Sequence, residues 1–293
     1  MFELIDFGEG RRLERFGAFL LDRPAAGTEG VARDAGSLSR WSQASARFEQ
    51  ISGSSFPQRG RWVPEGALPE TWTVEFGPVR FELKPTEFGH LGVFPEQAEN
   101  WRWVDQQVRH SRKENADPTR RPKVLNLFAY TGGSTMAAAA AGAEVVHVDS
   151  ARGTVAWARR NAELSGLADA PVRWIAEDAR RFVNRELARG NRYDAVILDP
   201  PSYGHGPKGQ SWKLERDLPA LLSESISLLG DHPMFVLLSC HTPGINHAIA
   251  GRMLEDAVNS ARRSGQISSG ELSLEATSGR RLPCGVVARC NLR

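Results

Sequence analysis

KVLNLFAYTGGSTMAAAAAGAEVVHVDS, residues 123–150, is the stretch that decides the fold. Residues 123–128 form a short apolar run of buried-strand kind, 134–141 an alanine-rich helix stopped by Gly142, and 144–149 a second apolar run. A strand, a glycine turn, a helix and another strand within so few residues describe one βαβ unit.

The pattern continues downstream. A helix over 152–164 sets Val155, Ala158 and Ala162 on one face. It is followed by a strand at 172–176, a helix at 179–188 and a strand at 193–199. Leu214, Leu218, Leu221, Leu222, Ile226 and Leu229 recur at helical spacing, with Pro219 near the start of that helix or kinking it. A fifth strand is expected at 234–239 and a helix at 245–263, before two β-like runs at 271–276 and 285–290. Five strands alternating with helices predict an α/β fold, a parallel sheet wound on both faces. The last two runs leave no room for a crossover helix and should form an antiparallel hairpin at one edge. A mostly parallel sheet ending in such a hairpin resembles the Rossmann-like class I methyltransferase arrangement, an association of fold only.

The chain upstream has a different character. Residues 1–113 read as a small β-rich N-terminal domain, with strands at 2–7, 13–21, 72–76 and 79–83, a Gly/Ser/Pro-rich loop at 51–60 and a helix over 95–112. Residues 114–122 read as a linker and 123–293 as the catalytic domain. The 293 residues are 41% hydrophobic and 25% charged, an ordinary globular balance. A net charge of +2 means that any surface for nucleic acid must be a local patch. The three cysteines lack metal-ligand spacing and cannot all pair, so no metal and a reduced, cytoplasmic setting are expected. No signal-like or membrane-spanning apolar stretch is present. Nothing in the sequence specifies an oligomeric state.

Ligands of an open α/β sheet bind beyond the carboxyl ends of its strands, where strand order reverses. Three loops fall there. The first carries Asn126, Phe128, Tyr130, Thr131, Gly132 and Gly133, whose glycines permit close backbone approach or serve only the turn. It is not G-x-G-x-x-G, which removes the main support for a dinucleotide. Asp149, followed by Ser150, closes the second strand where a carboxylate can accept both ribose hydroxyls. Asp178, followed by Ala179, can accept from an adenine amine, or simply cap the next helix. Asp199 and Pro200 then end the fourth strand. Three such loops in this order predict S-adenosylmethionine as the cofactor.

The stretches LNLFAYTGG, VHVDSARGTVAWARRNAELSGL, AEDARRFV and YDAVILDPPSYG resemble the large-subunit ribosomal RNA cytosine-C5 methyltransferases that usually carry an N-terminal PUA domain. The resemblance extends upstream to FELKPTEFGHLGVFPEQAENWRWV and covers about residues 79–293. Two features differ: the region before Val79 is too short and too unlike a PUA module, and the family's acidic-glutamine-basic segment reads Pro95-Glu96-Gln97-Ala98.

The resemblance implies RNA as partner and Cys240 as a nucleophile, in a Ser-Cys pair after the fifth strand. A thiolate adding to C6 makes C5 of a pyrimidine nucleophilic, and Asp199 could serve N3. His241 and a helix start at Ile245 would favour the thiolate; by residue type alone Cys240 reads equally as a small buried hydrophobe. Pro201, Ser202 and Tyr203 would meet the substrate. In an amine methyltransferase, the alternative, the proline carbonyls accept from the target amine and an aromatic residue follows them directly; here Ser202 intervenes. His241 and His205 are candidate proton carriers. A third alternative is a cofactor-binding RNA accessory protein without catalysis. Arg109, Arg112, Lys113, Arg120, Arg121 and Lys123, with Trp41, Trp62, Trp72, Trp101 and Trp103, suit either a single-stranded RNA track or a solvated linker beside a tryptophan-rich core.

Overall fold

The computed structural model describes residues 1–51, 59–114, 117, 119–205 and 211–292. Most of the expected 51–60 loop, part of the expected linker and the side chain of His205 lie outside the described residues. The chain forms two compact units, Met1–Glu96 with Ser273–Pro283, and Gln97–Leu272 with Cys284–Arg293.

The first unit is built on strands β1 (Phe2–Gly8), β2 (Arg11–Phe16) and β3 (Phe19–Pro24), a single-turn helix α1 (Leu38–Trp41), and strands β4 (Ala46–Gln50) and β5 (Gly60–Val63). These five strands pair in sequence order. The run 13–21, read as one strand, is two: Gly17 at φ 65° turns the chain so that Phe16 faces Phe19. Its apolar residues continue across the turn, which hid the break. A separate hairpin joins β6 (Trp72–Phe76) to β7 (Val79–Leu83). Glu14 is buried in this unit and meets Arg23 at 2.8 Å, as a buried charge must.

The second unit opens with α2 (Ala98–Glu114), which packs on the catalytic sheet against α3. Its further elements are β8 (Lys123–Leu127), α3 (Gly133–Ala140), β9 (Glu144–Asp149), α4 (Arg152–Leu164), β10 (Val172–Ala176), α5 (Ala179–Arg189) and β11 (Ala195–Leu198). A small hairpin, β12 (Tyr203–His205) with β13 (Ser211–Lys213), was not foreseen and precedes α6 (Leu214–Ile226). The last elements are β14 (Phe235–Cys240), α7 (His247–Ser260), β15 (Gly265–Glu275) and β16 (Arg281–Leu292).

The main sheet runs β10-β9-β8-β11-β14-β16-β15. Its first five strands are parallel, and β16 lies antiparallel to β14. This is the predicted Rossmann-like sheet with its terminal hairpin, and order reverses between β8 and β11, where a ligand site belongs. Alternation along the strands sends successive side chains to opposite faces. On β14, Phe235 and Leu237 join the core under α2 and α3, whereas Val236, Leu238 and Cys240 join the core under α5, α6 and α7. Among the described residues no helix is long and apolar enough to cross a membrane.

Candidate active site

The loop after β8 is held in an unusual conformation. Phe128 and Tyr130 both adopt positive φ, 54° and 49°, which non-glycine residues do rarely and chiefly where a site demands it. This turn aims the Tyr130 N–H at Asp149 Oδ2, 3.0 Å away, while the Ala151 N–H donates to Oδ1 at 3.0 Å. Burial pushes the Asp149 carboxyl up from its usual value, and these two N–H groups oppose the shift. A carboxylate has about four acceptor positions, so two remain for a diol. That geometry fits the ribose of S-adenosylmethionine.

The glycines of this loop serve the chain itself. Gly132 sits at φ 92°, before α3, and a Cβ there would lie 3.2 Å from Ala158. A Cβ on Gly133 would lie 2.5 Å from the Trp101 ring, so its missing side chain makes room for an indole. Asn126 is buried and donates to Thr135 Oγ1 at 2.9 Å, whose oxygen is 2.9 Å from His147 Nδ1. This chain runs inside the core, away from the loop ends. Burial without charge partners pushes His147 down to about 3. The Thr131 carbonyl accepts from Asn161 at 3.0 Å.

Asp178 caps α5, accepting from the Arg181 N–H at 2.9 Å, and Ala179 begins the helix. Ser150 is exposed; Ala151 takes the N-cap position of α4, and its N–H donates to Asp149. Of the residues after β11, Pro200 is buried, Pro201 is exposed, and Ser202 accepts from Thr242 at 2.8 Å. Tyr203 begins β12. Trp212 on β13 donates to the Pro201 carbonyl at 2.6 Å and lies 5.2 Å from the Phe128 ring, linking this loop to the first. Nothing in the sequence pattern marked Trp212, because strands β12 and β13 are too short for a periodicity signal.

Asp199 lies at the centre of a polar cluster. Ser239 donates to its Oδ1 at 2.5 Å and Gln97 to its Oδ2 at 3.0 Å. His241 Nε2 is 3.3 Å from Oδ1 and 3.3 Å from Gln97 Nε2. Gln97 is held by Asn100 at 2.6 Å, and Asn100 in turn by Arg289 at 2.6 Å. The sequence marked Gln97 only as part of a variant segment and Ser239 only as the neighbour of Cys240; Asn100 and Arg289 carried no signal. Gln97 meets Asp199 across 102 residues, Asn100 meets Arg289 across 189 and Ser239 meets Asp199 across 40, beyond the reach of any local pattern.

Cys240 is buried, and burial together with the Asp199 charge pushes its thiol up to about 12. The expected help toward a thiolate is therefore absent: His241 turns to Asp199 and to the Cys284 carbonyl, and the helix starts only at His247, capped by Asn246. Cys290 is buried and Cys284 half-buried.

The basic run before β8 is largely committed to the chain. Arg109 pairs with Asp105, Arg112 donates to the Ala141 carbonyl, and Arg120 pairs with Asp194. Lys113, Arg121 and Lys123 remain exposed. The tryptophans are packing residues. Trp41, Trp62 and Trp72 donate their N–H groups inside the first unit, Trp101 covers Gly133, and Trp103 lies 4.9 Å from Phe235. Of the aromatic half of the expected RNA track, Trp41 is thus buried and the other four are half-buried.

A family profile described as S-adenosylmethionine-dependent methyltransferase matches residues 37–261. The crystal structure of an S-adenosylmethionine-dependent methyltransferase from Agrobacterium tumefaciens superposes with a TM-score of 0.88 at 36% identity, covering 99% of this chain and 90% of that one. Ribosomal RNA large subunit methyltransferase K/L of Shewanella frigidimarina is 31% identical over 162 residues, 55% of this chain. Methyltransferase I of the same subunit from Aeromonas hydrophila is 32% identical over 167 residues, 56% of this chain. The matched stretch spans 21% and 41% of these two curated relatives. With a matching profile over most of its length and a close structural relative along nearly all of it, the chain belongs to the S-adenosylmethionine-dependent methyltransferase family.

Proposed function

We propose that this enzyme methylates C5 of a cytosine in RNA, through Cys240 and Asp199. The observation that carries the reading is the placement of these two groups at the ends of adjacent paired strands, in register with Leu198 opposite Leu238 and near enough for the Asp199 charge to raise the thiol. The names of the ribosomal RNA methyltransferase relatives support RNA as the substrate. Asp149, Asp178 and the loop after β8 would hold the cofactor, which supplies an electrophilic methyl group on a sulfonium. Asp199 takes the Cys240 thiol proton and delivers it to N3 of the base as the sulfur adds to C6. The C5–C6 π electrons become an enamine that attacks the methyl group from C5. After loss of the C5 proton the thiolate leaves, and the N3 proton returns to sulfur through Asp199. Engagement of the Pro201 carbonyl by Trp212 weighs against an amine acceptor, since it takes up one of the two acceptor positions on that oxygen.

The burial and raised thiol of Cys240 favour a second reading, methylation of a base amine by Asp199 and the Pro200 carbonyl with Cys240 structural. A denaturing gel decides between them. RNA shown to be methylated is resynthesised with 5-fluorocytosine at the target position. A shifted band with wild type that disappears in Cys240→Ala supports C5 chemistry, because fluorine cannot leave as a proton does. No band, together with full methyl transfer by Cys240→Ala, replaces it with the amine reading.

A further inference from the structure

The hydrogen bonds around Asp199 settle which atoms donate. Arg289 can only donate, so Asn100 presents its oxygen to it and its amine to Gln97 Oε1. Gln97 therefore turns its own amine toward Asp199, Ser239 and His241. On the other side of the imidazole, Nδ1 lies 2.8 Å from the Cys284 carbonyl, which can only accept, so Nδ1 carries the hydrogen. A neutral His241 then presents the Nε2 lone pair at 3.3 Å from the Asp199 carboxylate. The Gln97 amine stands as a donor 3.3 Å from Nε2 and 3.0 Å from the carboxylate, and a proton on Nε2 adds an ion pair with Asp199. The seat of the ring is built for this pose. Gly285 has φ 152°, and a Cβ on it would lie 2.7 Å from His241 Nδ1 and 2.7 Å from the Cys240 carbonyl oxygen. The titratable groups beside His241 include Asp199 at the end of β11, Cys240 next to it on β14 and Cys284 on β16, whose carbonyl meets the ring; the Arg289 charge is linked to it through Asn100 and Gln97.

We propose that His241 Nε2 is the general base that receives the proton released by methyl transfer, with Gln97, Asn100 and Arg289 as the positioning residues that set its orientation and that of Asp199. The inference rests on the reading that the methyl acceptor lies beside Asp199. A methylated C5 must lose its hydrogen. The C5–H bond breaks toward Nε2, its electron pair passes into the ring and re-forms the C5=C6 double bond, and the C6–S bond opens with its pair returning to Cys240. His241 leaves the step as an imidazolium paired with Asp199, and the proton passes to solvent afterwards.

His241→Asn is the test, because the asparagine amine can keep the bond to the Cys284 carbonyl while no basic nitrogen remains. Circular dichroism and calorimetry with S-adenosylhomocysteine first establish a folded variant with cofactor affinity within about twofold of wild type. On ordinary cytosine RNA, His241→Asn is expected to turn over roughly 100-fold or more slowly. It should also accumulate a methylated covalent adduct that wild type does not, and that Cys240→Ala abolishes. Nitrogen-15 NMR of the enzyme without ligands should show the Nδ1–H tautomer in the resonance that His241→Asn removes. If wild type gives no fluorocytosine adduct, the C5 reading fails by itself, and the base assignment is then read from the pH profile of single-turnover methyl transfer. A wild-type limb that rises with pH and is flattened in His241→Asn keeps the assignment. Wild-type turnover and an unchanged profile in His241→Asn, or an Nε2–H tautomer in the free enzyme, overturn it.

Discussion

Replacing Gly133 by alanine separates a glycine that serves the ligand from one that serves the chain. The added Cβ would stand 2.5 Å from Cε2 and Cζ2 of Trp101 and 2.7 Å from its Nε1. Carbon atoms pack at about 3.5–4.0 Å, so the indole would have to retreat by roughly 1 Å. An indole is rigid and cannot fold away, and forcing a methyl into such a contact costs about 1–3 kcal/mol. Alanine recovers up to about 0.5–1 kcal/mol through lower backbone entropy, and less at the first residue of α3. The net loss is about 1–2 kcal/mol, a fall in Tm of roughly 2–8 °C for a unit of this size. Urea unfolding of Gly133→Ala, Trp101→Leu and the double variant measures it directly. The double variant should be more stable than the sum of the singles implies, because the smaller side chain vacates the methyl's place. Calorimetry with S-adenosylhomocysteine should give nearly wild-type affinity for folded Gly133→Ala. Unchanged stability with affinity down more than tenfold would refute the packing argument and return Gly133 to the cofactor.

Asp149→Ala should weaken S-adenosylhomocysteine binding by about 1–3 kcal/mol, or roughly 5- to 150-fold, by calorimetry. Because hydroxyl donors favour the ionised carboxylate and burial raises its pKa, wild-type affinity should also fall as pH is lowered through that raised value. His147 is held neutral, down to about 3 against about 6.5 in the unfolded chain. Below pH ~6.5 the unfolded state takes up a proton that the folded state refuses, so this contribution to stability is lost as pH falls, by up to about 1.4 kcal/mol per unit. Urea midpoints of wild type between pH 7 and 5 should drop more steeply than those of His147→Gln; parallel curves would show that His147 is not the group. With its thiol at about 12, native Cys240 should resist iodoacetamide at pH 8 while the unfolded chain reacts, followed by mass spectrometry. Equal rates in the two states would contradict the burial.

The second unit was legible because its parallel strands are short apolar runs that alternate with helices, and 123–150 alone contains one complete repeat of that rule. The first unit was less so. Its strands carry buried charges such as Glu14 and Arg23, which blur the alternation, and β4 and β5 hold too few apolar residues to stand out. In the site, Asp149 and Asp199 were readable from their places at strand ends. The glycines of the first loop were readable as glycines but not as to purpose, since Trp101 reaches Gly133 from a different helix. The bonding of Gln97, Asn100, Ser239 and Arg289 was invisible for one reason. Polar residues at these positions look solvated until the fold buries them against one another.

The long sequence separations in the polar cluster impose an order of events on synthesis. The loops for the methyl donor are all present once Asp199 has been made, whereas the groups that fix His241 and Gln97, Cys284 and Arg289, lie on β16. Asn100 and Arg289 are 189 residues apart, which at about 5–20 residues per second is roughly 10–40 s of elongation. Through a little under half of that interval the nascent chain has Asp149 and Asp199 but lacks the strand that holds the imidazole and, by way of Asn100, the Gln97 amide. Docking of β16 against β14 is thus a timer as well as a structural closure: the cofactor loops come first in the chain, and the device that handles the proton is completed by a late strand.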